Sequence, residues 1–426
     1  TGAELFAYIP GIVNLTNLKT LADKAYDHRY FVDGPLAVSA KKLTPNKNIL
    51  VGSLGRGGKG LYALDVTTPA TFDGSKALWE VSGSDDDMGF ITSRPIITKA
   101  NNGSTVVIVS NGLNSTNDDP ALFIYDLFTG TRLAKLLPIE KGGNDVFDNN
   151  GLSAATGVDQ DVDGDVDYMY AGDMKGNVWK FDLSDNNPNN WEVANNDYPL
   201  YSAKDSTGTI TQSISGGIAI GFDAEFNPWL YFGTGRYLTA GDPSTTSVQT
   251  WYGIVDESTN TTIAGRGALK ARKIVAAGEL DNGSGTGVKV RAFEPQEFPS
   301  GVSDMYGKKG WYIDLVNPPF TAAQKVGERI VGTPVVRGTT VLVSSIIPSE
   351  DPCTVEGSGY VNAVDALTGS SGVYGSESYF DVNGGGFDND KLVSTIDGRE
   401  ISIGSIDLGI KMPTDALVLA GDTNEL

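Results

Sequence analysis

The chain has one cysteine and one histidine in 426 residues. A lone Cys353 excludes an intrachain disulfide framework and every cysteine-rich zinc site, leaving a free or buried thiol or a bond to a cysteine elsewhere. With His28 as the single imidazole, a Ser-His-Asp relay has only one residue to start from, and His28 reads instead as a packed structural side chain. Positive charge is also scarce: 32 Lys and Arg stand against 53 Asp and Glu, a formal net charge of −21. Binding to a phosphate backbone runs on clustered Lys and Arg, so nucleic acid is excluded as a partner. No apolar run approaches the length of a membrane-spanning helix, so no span is expected. The chain opens Thr1-Gly2-Ala3-Glu4, without an initiator Met or a leader of secretory type, and reads as a C-terminal fragment of a longer protein. The acidic excess suits an extracellular life and divalent cations.

What is abundant is glycine, 53 residues of it, punctuating short runs of Val, Ile, Tyr and Phe. Helical periodicity is confined to Leu15–Tyr26, where Leu15, Leu18, Leu21, Ala22 and Ala25 share a face. Elsewhere one unit recurs: a strand ending in Gly or Ser, a loop, then a second apolar strand ending in Asp. Ile49–Gly52 leads to Gly60–Asp65, Val106–Ser110 to Ala121–Asp126, and Tyr168–Gly172 to Gly176–Asp182. Trp229–Gly233 leads to Trp251–Asp256 and Val341–Ser344 to Gly359–Asp365, with a less regular copy ending at Trp311–Asp314. A sheet that recurs at this spacing cannot bury both of its faces alone and stacks against its neighbours, which predicts an all-β fold of propeller blades. Ala416–Gly421 reads as the first strand of such a pair and Leu5–Ile9 as the second. The expectation is a single domain over residues 1–426, a modified seven-bladed β-propeller with quinoprotein-like repeats whose last blade is closed by both termini. A pair of β-sandwiches is the competing architecture.

One segment carries explicit chemistry. Asp159-Gln160-Asp161-Val162-Asp163-Gly164-Asp165-Val166-Asp167 places Asp at positions 1, 3, 5, 7 and 9 and Gly at 6. That is the ligand spacing of an EF-hand loop, in which alternate side-chain oxygens converge and Gly permits the sharp turn. Asp159, Asp161, Asp163 and Asp167 are expected to ligate Ca²⁺ through carboxylates, and Asp165 through its backbone carbonyl. Position 12 is Tyr170, within the strand Tyr168–Gly172, so the loop is a shortened one joining two strands of a blade. Like charges about 4–6 Å apart repel by several kcal/mol at an effective dielectric of about 20, a strain that a divalent cation relieves. Oxygen-only donors favour Ca²⁺ over zinc or copper. A second, weaker Ca²⁺ site is a candidate at Asp381-Val382-Asn383-Gly384-Gly385-Gly386-Phe387-Asp388-Asn389-Asp390, which offers oxygens at 1, 3, 8 and 10; a plain flexible turn is the competing reading. Asn144-Asp145 to Asn149-Asn150 reads as an ordinary loop.

His28-Arg29-Tyr30-Phe31-Val32-Asp33-Gly34, the run Val51–Asp65, the Asp159–Asp167 loop followed by Tyr170-Ala171-Gly172-Asp173, and the start Glu4–Pro10 together resemble the C-terminal domain of the PilY/PilC family of type IV pilus tip adhesins and biogenesis proteins. The resemblance implies a propeller with one Ca²⁺ in the Asp159–Asp167 loop and no enzymatic activity. It implies that calcium occupancy regulates pilus extension against retraction, supporting twitching motility and surface adhesion. Partners would be major and minor pilins at the pilus tip and a host-surface receptor or glycan. The location would be secreted, at the surface of a Gram-negative cell or associated with its outer membrane. No Arg-Gly-Asp occurs, so integrin binding by that motif has no support. Two other functions compete. Asp126-Leu127-Phe128-Thr129-Gly130 and Asp365-Ala366-Leu367-Thr368-Gly369 are spelled like the repeats of quinoprotein dehydrogenases, although the adjacent cysteines usual there cannot form. A glycan-binding, lectin-like propeller is the third reading. The tryptophans, among them Trp79, Trp179 and Trp311, read as core rather than as a cofactor floor.

Overall fold

The structure, a computed structural model, describes residues 2–138, 149–257, 260–349 and 357–415. It divides into two compact units, Thr1–Tyr201 and Ser202–Leu426, with β13 (Tyr201–Ser202) at the division. Among the described residues no helix is long and apolar enough to cross a membrane.

In the first unit, three antiparallel sheets follow one another along the chain. The first is β1 (Leu36–Val38), β2 (Ile49–Ser53), β3 (Gly60–Asp65) and β4 (Ala77–Ser82), paired in sequence order. The second is β5 (Ile96–Lys99), β6 (Thr105–Ser110), β7 (Leu122–Asp126) and β8 (Arg132–Leu136). The third contains β9 (Thr156–Val158), β10 (Tyr168–Gly172), β11 (Asn177–Asp182) and β12 (Glu192–Val193). The inner strands are apolar at nearly every position because both faces are covered. Side chains alternate between the faces of β6 and β7. Val107, Val109, Phe123 and Tyr125 pack with Ile49, Val51, Leu61 and Ala63 of the first sheet. Val106, Ile108, Leu122 and Ile124 pack with Met169, Ala171, Trp179 and Phe181 of the third. Each Val, Leu, Ile, Phe or Met among them contributes about 1.5–3 kcal/mol on leaving water, so face-to-face stacking is the main stabilising term.

The second unit holds two larger sheets. One is ordered β14 (Ala219–Phe222), β15 (Pro228–Gly233), β16 (Thr250–Val255), β20 (Gly310–Asp314), β17 (Lys270–Arg272). The other runs β18 (Ile274–Asp281), β19 (Gly287–Phe293), β25 (Glu400–Ile406), β23 (Gly357–Asp365), β22 (Thr340–Pro348), β21 (Val335–Arg337), with β24 (Lys391–Val393) also on β25. Trp229, Tyr231, Trp251 and Trp311 of the first share a core with Val341, Val343 and Val364 of the second.

Among the described residues, neighbouring sheets in each unit are pinned by the same device. The turn after β7 is held by Asp126, whose Oδ1 accepts from the N–H groups of Phe128 (3.0 Å) and Thr129 (2.8 Å) and from the Thr129 hydroxyl (2.8 Å). Trp79 of β4 donates its indole N–H to the Leu127 carbonyl of that turn (2.8 Å), and its ring lies against Gly130. In the second unit Asp365 accepts from Thr368 N–H (2.9 Å) and hydroxyl (2.8 Å), Trp311 donates to the Ala366 carbonyl (2.7 Å), and Gly369 faces the Trp311 ring. Gly130 and Gly369 have φ of +68° and +65°, a conformation that suits glycine, and a Cβ at either would collide with the indole. The Asp-x-x-Thr-Gly spelling is thus an inter-sheet clasp. Trp179 and Trp311 are fully buried, as expected of core residues.

Several expectations need correction. Trp311–Asp314 does not start a sheet of its own: it is β20, paired with β16 so that Trp251 faces Ile313. Leu5–Ile9 is not a strand. It lies against the β3–β4 connection through Phe6 stacked on Phe72 (centroids 4.0 Å apart) and against β4 through Glu80, whose carboxylate accepts from the Tyr8 hydroxyl and from the N–H groups of Gly11 (2.7 Å) and Ile12 (3.1 Å). These side-chain contacts replace the backbone ladder a strand would need. The helix expected over Leu15–Tyr26 is α1 (Leu15–Lys19), capped by Asn14, with a single 3-10 turn at Thr20–Ala22. His28 is exposed, edge-on to Tyr30, rather than packed. Ala416–Gly421, Cys353 and Asn144–Asp145 lie outside the described residues.

Gly369→Ala is expected to lower stability by about 2–5 kcal/mol, from the left-handed backbone and the overpacked indole together. Gly338→Ala, also at positive φ but with open space around it, is expected to lose only the backbone part. Thermal unfolding of the two variants measures the difference, and equal losses would show that the clasp carries no packing energy.

Candidate metal centre

The acidic loop joins β9 to β10, whose antiparallel register sets Val158 opposite Tyr168. Its base is closed by Asp167 N–H on the Val158 carbonyl (2.9 Å) and Val166 N–H on the Lys99 carbonyl (2.9 Å). Between these ties the chain must reverse within a few residues, and it does so with Val162 at φ +63° and Gly164 at φ +98°. Gly164 is therefore where the sequence has its one residue without a Cβ penalty, while Val162, β-branched and solvent-exposed, is held there by the loop.

The carboxylates organise the loop from within. Asp159 accepts from Gly164 N–H (2.8 Å) and Asp163 N–H (3.1 Å), and Asp161 from Asp163 N–H (3.2 Å). Asp163 accepts from Asp165 N–H (2.8 Å), and Asp167 from Gln160 N–H (2.7 Å). Carboxylate oxygens of Asp159, Asp161 and Asp167 lie within 4.8 Å of one another. Asp167 is buried, Asp159 half-buried and Asp161 exposed, so the three form a cup with a closed floor and an open mouth. The Asp161 carboxyl is pushed above the usual carboxylate range by lost hydration and then by the charges of Asp163, Asp167 and Asp159, against the Asp163 N–H bond. Such a set offers hard, anionic oxygens only, which fits a Ca²⁺-type cation and does not fit a thiophilic metal.

Of the five aspartates singled out by spacing, three converge. Asp163 is exposed and outside that trio, its Oδ1 on the Asp165 N–H. Asp165 turns its carboxylate away from the cup onto Lys99 Nζ (2.7 and 3.0 Å), which leaves its carbonyl as the group it can offer. Lys99 and Asn101 were not legible as site residues. They come from the end of β5 (Lys99) and the turn that follows it (Asn101) in the neighbouring sheet, and Asn101 Nδ2 donates to Asp167 Oδ1 (3.1 Å) and to the Val166 carbonyl (3.0 Å). Nothing within the loop sequence points to them.

The far end of β10 is fixed just as firmly. The Asp173 carboxylate is fully buried and accepts from Lys175 N–H (3.0 Å), Asn177 N–H (2.8 Å), Asn177 Nδ2 (3.0 Å), Asn150 Nδ2 (3.3 Å) and the Trp179 indole (2.8 Å). Asp223, Asn227 and Trp229 repeat the arrangement in the second unit, with the indole at 3.2 Å.

The family described as the PilY1 beta-propeller domain matches residues 3–283. A type IV pilus biogenesis factor PilY1 homolog of Xylella fastidiosa is 37% identical over 383 residues, covering 87% of this chain and 25% of the relative. The type IV pilus biogenesis factor PilY1 of Pseudomonas aeruginosa PAO1 is 32% identical over 399 residues, covering 86% of this chain and 33% of its own length. The chain thus spans between a quarter and a third of these relatives. The crystal structure of the Pseudomonas aeruginosa PilY1 C-terminal domain is similar with a TM-score of 0.73 at 27% identity, over 95% of this chain and 83% of that one.

Asp173→Ala would leave a buried indole N–H and two amide side chains without that acceptor, at a cost of about 3 kcal/mol or more. A lower thermal midpoint is expected, with a smaller drop for Asp223→Ala because that carboxylate is less buried. Unchanged midpoints would remove the carboxylate's role in fixing β10.

Proposed function

The chain belongs to the PilY1 β-propeller family, and from that premise we propose that it is the calcium-binding domain of a type IV pilus biogenesis factor working at the pilus tip and cell surface. The observation that carries this reading is the convergence of Asp159, Asp161 and Asp167 on one point at the mouth of a strand-to-strand loop. Ca²⁺ would be held by these carboxylates, by the Asp163 carboxylate after rotation toward the cup, and by the Asp165 carbonyl. The ion supplies charge neutralisation to a loop whose acidic groups otherwise repel. An occupied loop is stiffer than an empty one, and any partner that meets only the stiff form is favoured by occupancy. Applied to pilins at the tip, occupancy would shift the balance from retraction toward extension, and so alter twitching motility and adhesion. In this reading the domain acts by binding and not by catalysis, and a quinone absorbance band in the purified protein would overturn that part.

Calorimetric titration of the 426-residue chain is expected to give one strong Ca²⁺ event. Asp161→Ala should weaken it by at least a hundredfold, whereas Asp165→Asn, which changes a side chain occupied by Lys99, should leave it within a few-fold. Absence of heat from the unaltered chain sinks the proposal. In cells, the Asp161→Ala protein should reach normal abundance while twitching or surface piliation changes.

Acid should weaken the site in a defined direction. A carboxyl held above the usual value of about 3.9 takes up its proton earlier as pH falls, and a protonated Asp161 cannot ligate. Affinity is expected to be flat near neutrality and to decline before an ordinary aspartate titrates, measured as Kd for Ca²⁺ between about pH 7 and 4.

A further inference from the structure

The second unit contains another loop built on the same internal hydrogen-bond plan, between β23 and β24. In the first loop the carboxylate at position 1 accepts from the N–H at position 6, the side chain at 3 accepts from the N–H at 5, and the closing carboxylate accepts from the N–H at 2. At residues 381–390, Asp381 accepts from Gly386 N–H (3.1 Å) and Gly384 N–H (2.8 Å), and Asn383 Oδ1 from Gly385 N–H (2.7 Å). Asp390 Oδ2 accepts from Val382 N–H (3.1 Å). The closing residue stands at position 10 instead of 9, with one extra residue after the turn.

The independent observation is the state of Asp390. Its residue is only 1% exposed, yet Oδ1 has no hydrogen-bond partner among the described residues. Because Oδ2 is tied to Val382 inside the loop, the bare oxygen of the same rigid carboxylate sits at the loop as well. A buried anionic oxygen without a partner is costly, and native structures rarely leave one so unless an ion or water completes it.

We infer that the 381–390 loop is a second Ca²⁺ site, ligated by the Asp390 carboxylate through its buried Oδ1, by Asp381 and by Asn383. Glycine at position 5 contributes no side chain, so water takes that place. Two charged ligands replace the larger acidic set of the first loop, and the affinity is correspondingly lower, in the ~10⁻⁴–10⁻³ M range typical of extracellular modules. Binding here would order the segment that leads into β24, because the Asp390 carbonyl accepts from Ile403 N–H of β25 (3.1 Å) and from the Ser378 hydroxyl. The site shares no residue with the first loop.

The test is Ca²⁺ titration of the full 426-residue chain carrying Asp161→Ala, alone and combined with Asp390→Asn or with Asn383→Ala. The Asp161→Ala chain is expected to keep one weak event. Asp390→Asn should remove it, and Asn383→Ala, at an exposed position where folding is not at stake, should weaken it at least tenfold. Circular dichroism checks that each chain is folded; if Asp390→Asn is not, Asn383→Ala and Asp381→Asn decide. No residual event in the Asp161→Ala chain, or one indifferent to these second changes, overturns the inference. Failure of the first loop alone would appear differently: the unaltered chain would show only the weak event sensitive to Asn383→Ala.

Discussion

The clasp between a tryptophan on one sheet and an Asp-x-x-Thr-Gly turn on the next is the contact on which the remaining structure depends. A four-stranded sheet has two apolar faces, and neither can be left in water at about 25 cal/mol per Å². Stacking hides both faces, but hydrophobic contact is non-directional and leaves the angle and register of neighbouring sheets unspecified. Trp79 on Leu127 and Trp311 on Ala366 supply that direction, each by one hydrogen bond to a carbonyl at a fixed place. Glycine at the point of contact lets the indole lie directly on the backbone.

The acidic loop inherits its geometry from this stacking. Its floor is Asp167, and Asp167 is steadied by Asn101, which belongs to the adjacent sheet. Lys99, at the end of β5, holds the Asp165 carboxylate out of the cup. One positive charge therefore offsets part of the repulsion among five carboxylates and keeps that of Asp165 apart from the converging three. Asp173 performs a related task at the other end of β10, gathering five donors onto one buried carboxylate so that the strand behind the loop has a fixed position. Both loops proposed for Ca²⁺ close by the same rule: carboxylates accept the loop's own N–H groups and keep their remaining lone pairs for a cation.

Legibility of the sequence varied with how local the determinants are. The paired strands from Ile49–Gly52 to Gly359–Asp365 were readable because period, punctuation and length are properties of consecutive residues. The Asp159–Asp167 spacing was readable for the same reason, and the Asp165 side chain, set apart there from the other four, is the one bound to Lys99. Trp311–Asp314 was misread as a further copy because its spelling matches the other Asp-ended strands, while its partner, β16, lies about sixty residues away in sequence. Leu5–Ile9 alternates like a strand, yet Glu80 satisfies its neighbourhood with side-chain bonds.

The sequence by itself determined an all-β chain of stacked sheets, an acidic protein with one cysteine and one histidine, and a nine-residue loop with aspartate at every second position. Those features rest on interactions between residues close along the chain, where backbone periodicity dictates which side chains meet. Only the tertiary structure decided that three of the five aspartates converge, that Lys99 and Asn101 serve the loop, that Asp-x-x-Thr-Gly is an inter-sheet clasp, and that Asp390 holds a buried oxygen with no partner among the described residues. Each of these depends on groups brought together across sheets or on which side of a carboxylate is covered, and burial is a property of the packed molecule that no local pattern encodes.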